Sequence, residues 1–318
     1  MIPLPVVALA LVLAVPDSFP AQAAQTTATA ADLLRSGKPG EARDAYESLL
    51  DADPANQEAQ DGEVAASEQL ALAARSAGKM DDALKDLLQA QKYAPKNPRL
   101  LYDLGIQEVD MQSFKDADRT LALAEQLNPG EPLVLYAVGR VKLELGQLAP
   151  AEENMRAYLK LRPSDASAHY GLGRVLQLGM QLDLAQAEFH RSIELQPLQT
   201  EAYYQLGDIA LKQGDFAEAI AEFNKTLARD PKHGGALTGT GQAYFKQKQY
   251  AQAAEFLERA VAAAPDYETG HYYLGLTLAR LGRKEESERE LALATRLADE
   301  AGKKARAGLR STTPPENQ

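Results

Sequence analysis

Histidine is the residue type in this chain best suited to hold a metal ion or move a proton near neutral pH, and it occurs at positions 169, 190, 233 and 271. None of the four has a second His or an acidic residue at a recognised ligand spacing. His169 and His271 take the same place in two copies of an internal pattern, where Tyr203 stands in an intervening copy, so they are expected to pack. Gly171-Leu172-Gly173 and Gly239-Thr240-Gly241 look like openings of phosphate-binding loops, yet neither has the further Gly or the Gly-Lys-Ser/Thr that such loops need. No Ser sits in a nucleophile elbow, and no pair of carboxylates stands out from the acidic background. The chain has no Cys, which removes disulfides, thiolate metal sites and thiol catalysis. No catalytic residue, cofactor or metal is therefore expected. The chemistry left to place is recognition, carried by Tyr and Arg.

The elements that position these residues are set by a repeat. Pro95, Pro129, Pro163, Pro197, Pro231 and Pro265 lie 34 residues apart, and Pro54 precedes the series by 41. Gly105, Gly139, Gly173, Gly207, Gly241 and Gly275 keep the same beat, as do Ala83, Ala117, Ala151, Ala185, Ala219 and Ala253. Small residues recurring at fixed places mark close approach of two backbones. In the copy from Thr200 to His233, Tyr203, Leu206, Gly207 and Ala210 share one helical face, and Ala219, Ile220, Phe223 and Leu227 share another. Gly214 supplies a left-handed C-cap between the two helices and Asp215 a cap for the second. Pro231 closes that second helix, having no N–H to donate.

Antiparallel helix pairs with this period resemble the tetratricopeptide repeat. The glycines, alanines and prolines carry the resemblance, together with Leu104, Val138, Leu172, Leu206 and Leu274, each one residue before its glycine. It implies an all-α fold, an α-solenoid of antiparallel helix pairs in a right-handed superhelix, with seven full repeats and one degenerate N-terminal copy. The full repeats are 64–97, 98–131, 132–165, 166–199, 200–233, 234–267 and 268–301, together spanning 64–301. Gly37, Ala42, Tyr46 and Pro54 mark the degenerate copy within 24–63. The seven extra residues before Pro95 equal two helical turns, so Asn56–Ala77 reads as one lengthened helix. A solenoid packs each repeat on its neighbours, so one elongated domain is expected. Gly234, Gly235, Gly239 and Gly241 crowd one first helix and predict a weak, hinge-like segment there.

Both ends depart from the beat. Val6–Val15 is an apolar run of ten followed by Ala21-Gln22-Ala23, which reads as a signal peptide over 1–23 with a mature start near Ala24. The run is too short to span a bilayer, so no stable membrane span is expected, and a periplasmic or secreted location follows, with the cytoplasm as the alternative. Segment 302–318 reads as a helix extension with a disordered tail from Ser311 to Gln318, because Asp299 stands where the last proline would be. A formal net charge of −11 argues against nucleic acid as a partner.

In the resembled family the first helices line a concave groove that receives a peptide or a partner's helix. The place 27 residues before each proline carries Tyr102, Tyr136, Tyr170, Tyr204, then Thr238, with Tyr272 in the last copy. Four residues on lie Ile106, Arg140, Arg174, Asp208, Gln242 and Leu276, on the same side of each helix. Tyr136 with Arg140 and Tyr170 with Arg174 form the expected contact for an acidic or carboxylate-bearing segment, flanked by Tyr102, Tyr204, Asp208 and Tyr272; packing is the competing role for these tyrosines. Two recognition schemes of the family do not carry over. Chaperone adaptors hold a carboxylate with Lys and Asn where this chain has Tyr and Arg, and an asparagine ladder would need Asn where Asp103, Ala137, Gly171, Gln205, Gly239 and Tyr273 stand. The expected function is that of a non-enzymatic scaffold or adaptor for a protein or peptide partner, set in envelope or secretion-complex assembly. The alternative is an accessory subunit that docks or regulates an enzyme.

Overall fold

Small residues at every thirty-fourth position let two helices meet closely, and the structure is built from that contact. The structure, a computed structural model, describes the backbone of residues 18–311 and the side chains of 27–304. Residues 1–17 of the expected signal segment 1–23, and the tail after Ser311, lie outside the described residues. The chain divides into two compact units, the first ending at Gly146 and the second starting at Gln147, a boundary inside the repeat 132–165.

The first unit holds α1 (Ser18–Arg35), α2 (Pro39–Ala52), α3 (Gln57–Ser76), α4 (Met80–Tyr93), α5 (Pro98–Asp110), α6 (Phe114–Leu127) and α7 (Pro132–Glu144). The second holds α8 (Leu148–Leu161), α9 (Ala166–Leu178), α10 (Leu182–Leu195), α11 (Thr200–Gln213), α12 (Phe216–Leu227), α13 (Gly234–Lys246), α14 (Tyr250–Ala263), α15 (Glu268–Arg280) and α16 (Lys284–Ser311). Odd-numbered helices are the first helices of the repeats. Within each unit hairpins such as α5–α6 and α11–α12 pack internally, and successive first helices, α3 with α5 and α11 with α13, touch as well.

The six repeat alanines, from Ala83 to Ala253, are completely buried. The repeat glycines explain why. A Cβ on Gly173 would lie 2.7 Å from the Phe189 ring, one on Gly207 2.6 Å from Phe223, and one on Gly241 2.5 Å from Leu257. Each second helix thus lays one large side chain, sixteen residues on, into the notch of its first helix. Buried apolar side chains such as Leu87, Leu121, Phe189 and Phe223 fill these notches and supply the main driving force of the fold.

The turns keep the beat by conformation rather than by residue type. Gly37, Gly78, Gly146, Gly214 and Gly282 have φ of 70° to 89°, and the intervening copies put Gln112, Met180 and Lys248 in the same left-handed region. Gly214 is the expected C-cap. Asp215 occupies the N-cap position of α12, but its side chain makes no capping bond, a correction to the expected cap. The prolines stand two residues past most second helices, Tyr93 before Pro95 for example, and four past Leu227 in α12.

The lengthened helix is α3, capped by Asn56, whose Oδ1 accepts from the Ala59 N–H at 3.0 Å. The degenerate copy is the α1–α2 hairpin, with Ala42 and Tyr46 buried. α1 begins at Ser18, so Ala21-Gln22-Ala23 is helical. α13 is continuous across its glycines. A Cβ on Gly234 would lie 2.7 Å from Ala264, one on Gly235 2.9 Å from the Tyr204 ring, and one on Gly239 2.4 Å from Phe223. Those glycines are sites of close approach, which compensates the helix for their low propensity. α16 runs to Ser311, the expected extension of the final second helix.

Candidate functional site

The Tyr and Arg residues singled out by the repeat register divide between the two units, and each is described within its own. In the first unit Tyr102 on α5 is half-buried against the cluster of Leu101, Leu121 and Val138. Burial raises its phenol above the usual tyrosine range. On α7, one turn separates Tyr136 from Arg140, and the exposed guanidinium sits over the half-buried ring with Cζ 5.9 Å from the centroid. Arg140 also borders a cavity of about 430 Å³ whose lining is mixed, with Val109, Phe114 and Val141 beside Asp110, Gln112 and Glu144. Asp110 is occupied by Arg75 at 2.6 Å. Arg140 makes no ion pair with a carboxylate among the described residues.

In the second unit Tyr170 on α9 packs its ring 5.8 Å from Phe189, and desolvation raises its phenol while the Arg174 charge opposes the shift. Arg174 is half-buried beside it. Tyr204 on α11 is held more tightly, 5.9 Å from Phe223 and 4.8 Å from the His233 ring, with the Gly235 backbone against its edge. Its phenol is pushed up strongly by burial. Asp208 is occupied: Lys212 Nζ lies 2.6 Å from it, and Gln177 Nε2 donates at 3.0 Å. Tyr272 on α15 is 43% exposed and meets Tyr273 edge-on at 5.4 Å. The tyrosines thus grade from packed, at 204, to open, at 272.

The histidines are more than packing. His169 places Nδ1 2.6 Å from Glu188 Oε2 and Nε2 3.0 Å from the Pro163 carbonyl, and His271 repeats the arrangement with Glu290 at 2.6 Å and Pro265 at 2.9 Å. Tyr203, in the same register, donates to the Pro197 carbonyl at 3.4 Å. Each ring ties a first helix to its own second helix and to the preceding repeat's boundary proline. A signal existed in the sequence: Glu follows both histidines by nineteen residues. His233 has another task, its Nδ1 accepting the Ala236 N–H at 3.0 Å as an N-cap.

The tyrosine register extends one copy further toward the N-terminus. Glu68, 27 residues before Pro95, stands where the later copies carry Tyr, and Asp103 on α5 lies against it. Burial raises both carboxyls, Glu68 up to about 7.

Comparison with known proteins agrees with this architecture. The family model described as tetratricopeptide repeat matches residues 68–132, 136–179, 181–234, 204–268 and 238–304. No protein of curated function matches the sequence. Among solved structures, a tetratricopeptide repeat protein from Parabacteroides merdae is 19% identical with a TM-score of 0.54, the match covering 81% of this chain and 99% of that one. Cut9–Hcn1, an APC/C hetero-tetramer, gives 16% identity and a TM-score of 0.59 over 86% of this chain and 52% of its own. MamA from Desulfovibrio magneticus gives 21% identity and a TM-score of 0.50 over 54% and 96%. At these identities the likeness is one of fold.

Proposed function

The chain belongs to the tetratricopeptide repeat family, and from that premise we propose that it is a non-enzymatic scaffold whose first helices hold a carboxylate-bearing protein or peptide segment. The observation that carries the reading is Arg140: an exposed guanidinium stacked over Tyr136, free of carboxylate ion pairs among the described residues, at a cavity of about 430 Å³ that also presents Val109, Phe114 and Val141. Such a site offers a bidentate fork for a carboxylate and apolar surface for the residues beside it. Arg174 beside Tyr170 is the corresponding contact of the second unit. Tyr204 and Asp208 support the site through packing and hydrogen bonding, since their own polar groups are engaged.

The apolar run Val6–Val15 and the small residues at 21–23 support export, with envelope or secretion-complex assembly as the setting. N-terminal sequencing of protein isolated from its host reads this directly: a start near Ala24 agrees, and an intact Met1 refutes it. For the binding reading the test is affinity capture from an envelope extract with the unaltered chain and with Arg140→Glu/Arg174→Glu. Loss of the captured acidic partners from the double variant is expected. Retention of every partner overturns the assignment.

A further inference from the structure

We propose that Leu178 and Met180, at the C-terminal end of the α9 stripe that carries Tyr170 and Arg174, seat a large aliphatic side chain of the partner beside the carboxylate held at Arg174. The second unit then selects a segment in which an acidic residue and a leucine-like residue project from one face. This deepens the proposed function and rests on its reading that Arg174 meets a carboxylate.

The repeat register shows how unusual these two residues are. Where Leu178 stands, the other full copies carry Ser76, Asp110, Glu144, Lys212, Lys246 and Arg280, and where Met180 stands they carry glycine or a polar residue, Gly146 and Lys248 among them. Only this hairpin is apolar at both places. Leu178 is 55% exposed and Met180 74%, so neither contributes to the core. Met180 also holds φ of 59°, a conformation that suits glycine and strains a side chain, and no buried contact within the chain offsets that strain. Methionine is unbranched and adapts its shape to an apolar group placed against it.

Charge decides the rest of the occupant. Arg174 and Leu178 are four residues apart, on the same side of α9 and about 6 Å apart along its axis. Arg174 is half-buried beside Tyr170 and forms no ion pair among the described residues. Asp208 of α11, which reaches α9 through Gln177, is already held by Lys212. The guanidinium is therefore open to a carboxylate from outside, and a cationic segment is repelled. A partner meets both contacts when its carboxylate and its aliphatic side chain project from one face at a matching distance. Alternate residues of an extended segment, about 6.6 Å apart, do so.

The test is NMR titration of the full-length chain with three peptides: Nα-acetyl-Glu-Ala-Leu amide, Nα-acetyl-Glu-Ala-Ser amide and Nα-acetyl-Gln-Ala-Leu amide. Saturable shifts of the Met180 and Leu178 methyls and of the Arg174 Nε–H are expected from Glu-Ala-Leu, with each of the other two binding about tenfold more weakly. Leu178→Ser and Met180→Gly, which place at these exposed sites residues that other copies carry, are each expected to reduce Glu-Ala-Leu to the affinity of Glu-Ala-Ser and to leave Glu-Ala-Ser unchanged. Equal affinity of Glu-Ala-Leu and Glu-Ala-Ser, or a preference that survives both variants, overturns the aliphatic seat while the carboxylate reading stands. Equal affinity of Glu-Ala-Leu and Gln-Ala-Leu overturns that reading at Arg174 and the proposal with it. Saturation by none of the peptides also overturns the proposal. So does broadening of the Met180 and Leu178 methyls with protein concentration alone, accompanied by a rising sedimentation coefficient, since a second copy of the chain would then cover the two residues.

Discussion

A carboxyl group enclosed without its full complement of donors favours its proton, and Glu63 on α3 is in that position. It is completely buried, Oε1 accepts from Ser67 Oγ at 2.9 Å, and Oε2 has no donor among the described residues. Desolvation raises it from the ordinary carboxyl value to about 7. Between about pH 4.5 and 7 the folded chain keeps a proton that the unfolded chain has released, so stability falls as pH rises through that window and levels off above it. The loss is on the order of 3 kcal/mol. Glu63→Gln is expected to shrink the difference in melting temperature between pH 5 and pH 8; an undiminished difference refutes the assignment. The repeat notch gives a second residue-scale prediction. Gly173→Ala drives a methyl into the Phe189 ring and is expected to cost about 1–3 kcal/mol, although Ala is the better helix former. Gly40→Ala, on α2 with open space around it, is expected to gain about 0.5–1 kcal/mol. Chemical denaturation of the pair separates packing from propensity. The glycine beat was legible in the sequence because helix–helix contact demands it. The shared nineteen-residue spacing marks Glu188 and Glu290 in the sequence, but that each meets its histidine was settled only by packing, which sets the rotation of the two helices about their axes.

At the scale of the element, caps and turns decide which copies of the repeat are sound. Asp165 is a true cap: Oδ1 accepts from the Ala168 N–H at 3.0 Å, and Oδ2 accepts from the Tyr158 hydroxyl at 2.6 Å. Asp165→Ala is expected to cost about 1–2 kcal/mol, whereas Asp215→Ala, whose side chain makes no capping bond, is expected to be nearly neutral by the same denaturation measurement. Met180 holds φ of 59° in a turn where other copies use Gly. Met180→Gly relieves that strain and is expected to stabilise by about 0.5–1 kcal/mol, partly offset by the unfolded-state freedom of Gly. Hydrogen exchange bears on α13 in the same way. With Ala264, Tyr204, Phe223 and Leu257 seated on its glycines, protection equal to that of α11 is expected. Composition alone pointed to a hinge there, because a count of glycines does not register what fills the space beside them.

For the molecule as a whole, repeat packing makes stability a sum of local contributions, so perturbations stay near their origin. Glu63→Gln is expected to shift hydrogen-exchange protection in α2, α3 and α4 and to leave α11 to α15 unchanged; a uniform shift along the chain would contradict that locality. The period, the helix pairing, the lengthened α3 and the extended α16 were fixed by the sequence itself, because each follows from where small residues, turns and prolines fall along one chain. Tertiary structure alone decided which polar groups of the tyrosine register are available. Asp208 is claimed by Gln177 from thirty-one residues away, Tyr204 is enclosed by Phe223 and His233, and Arg140 is left with its cavity. Glu68 and Asp103 meet across two helices in the same manner. Periodicity determines which face a residue occupies, whereas availability depends on neighbours brought from other helices, and those are settled only when the helices pack.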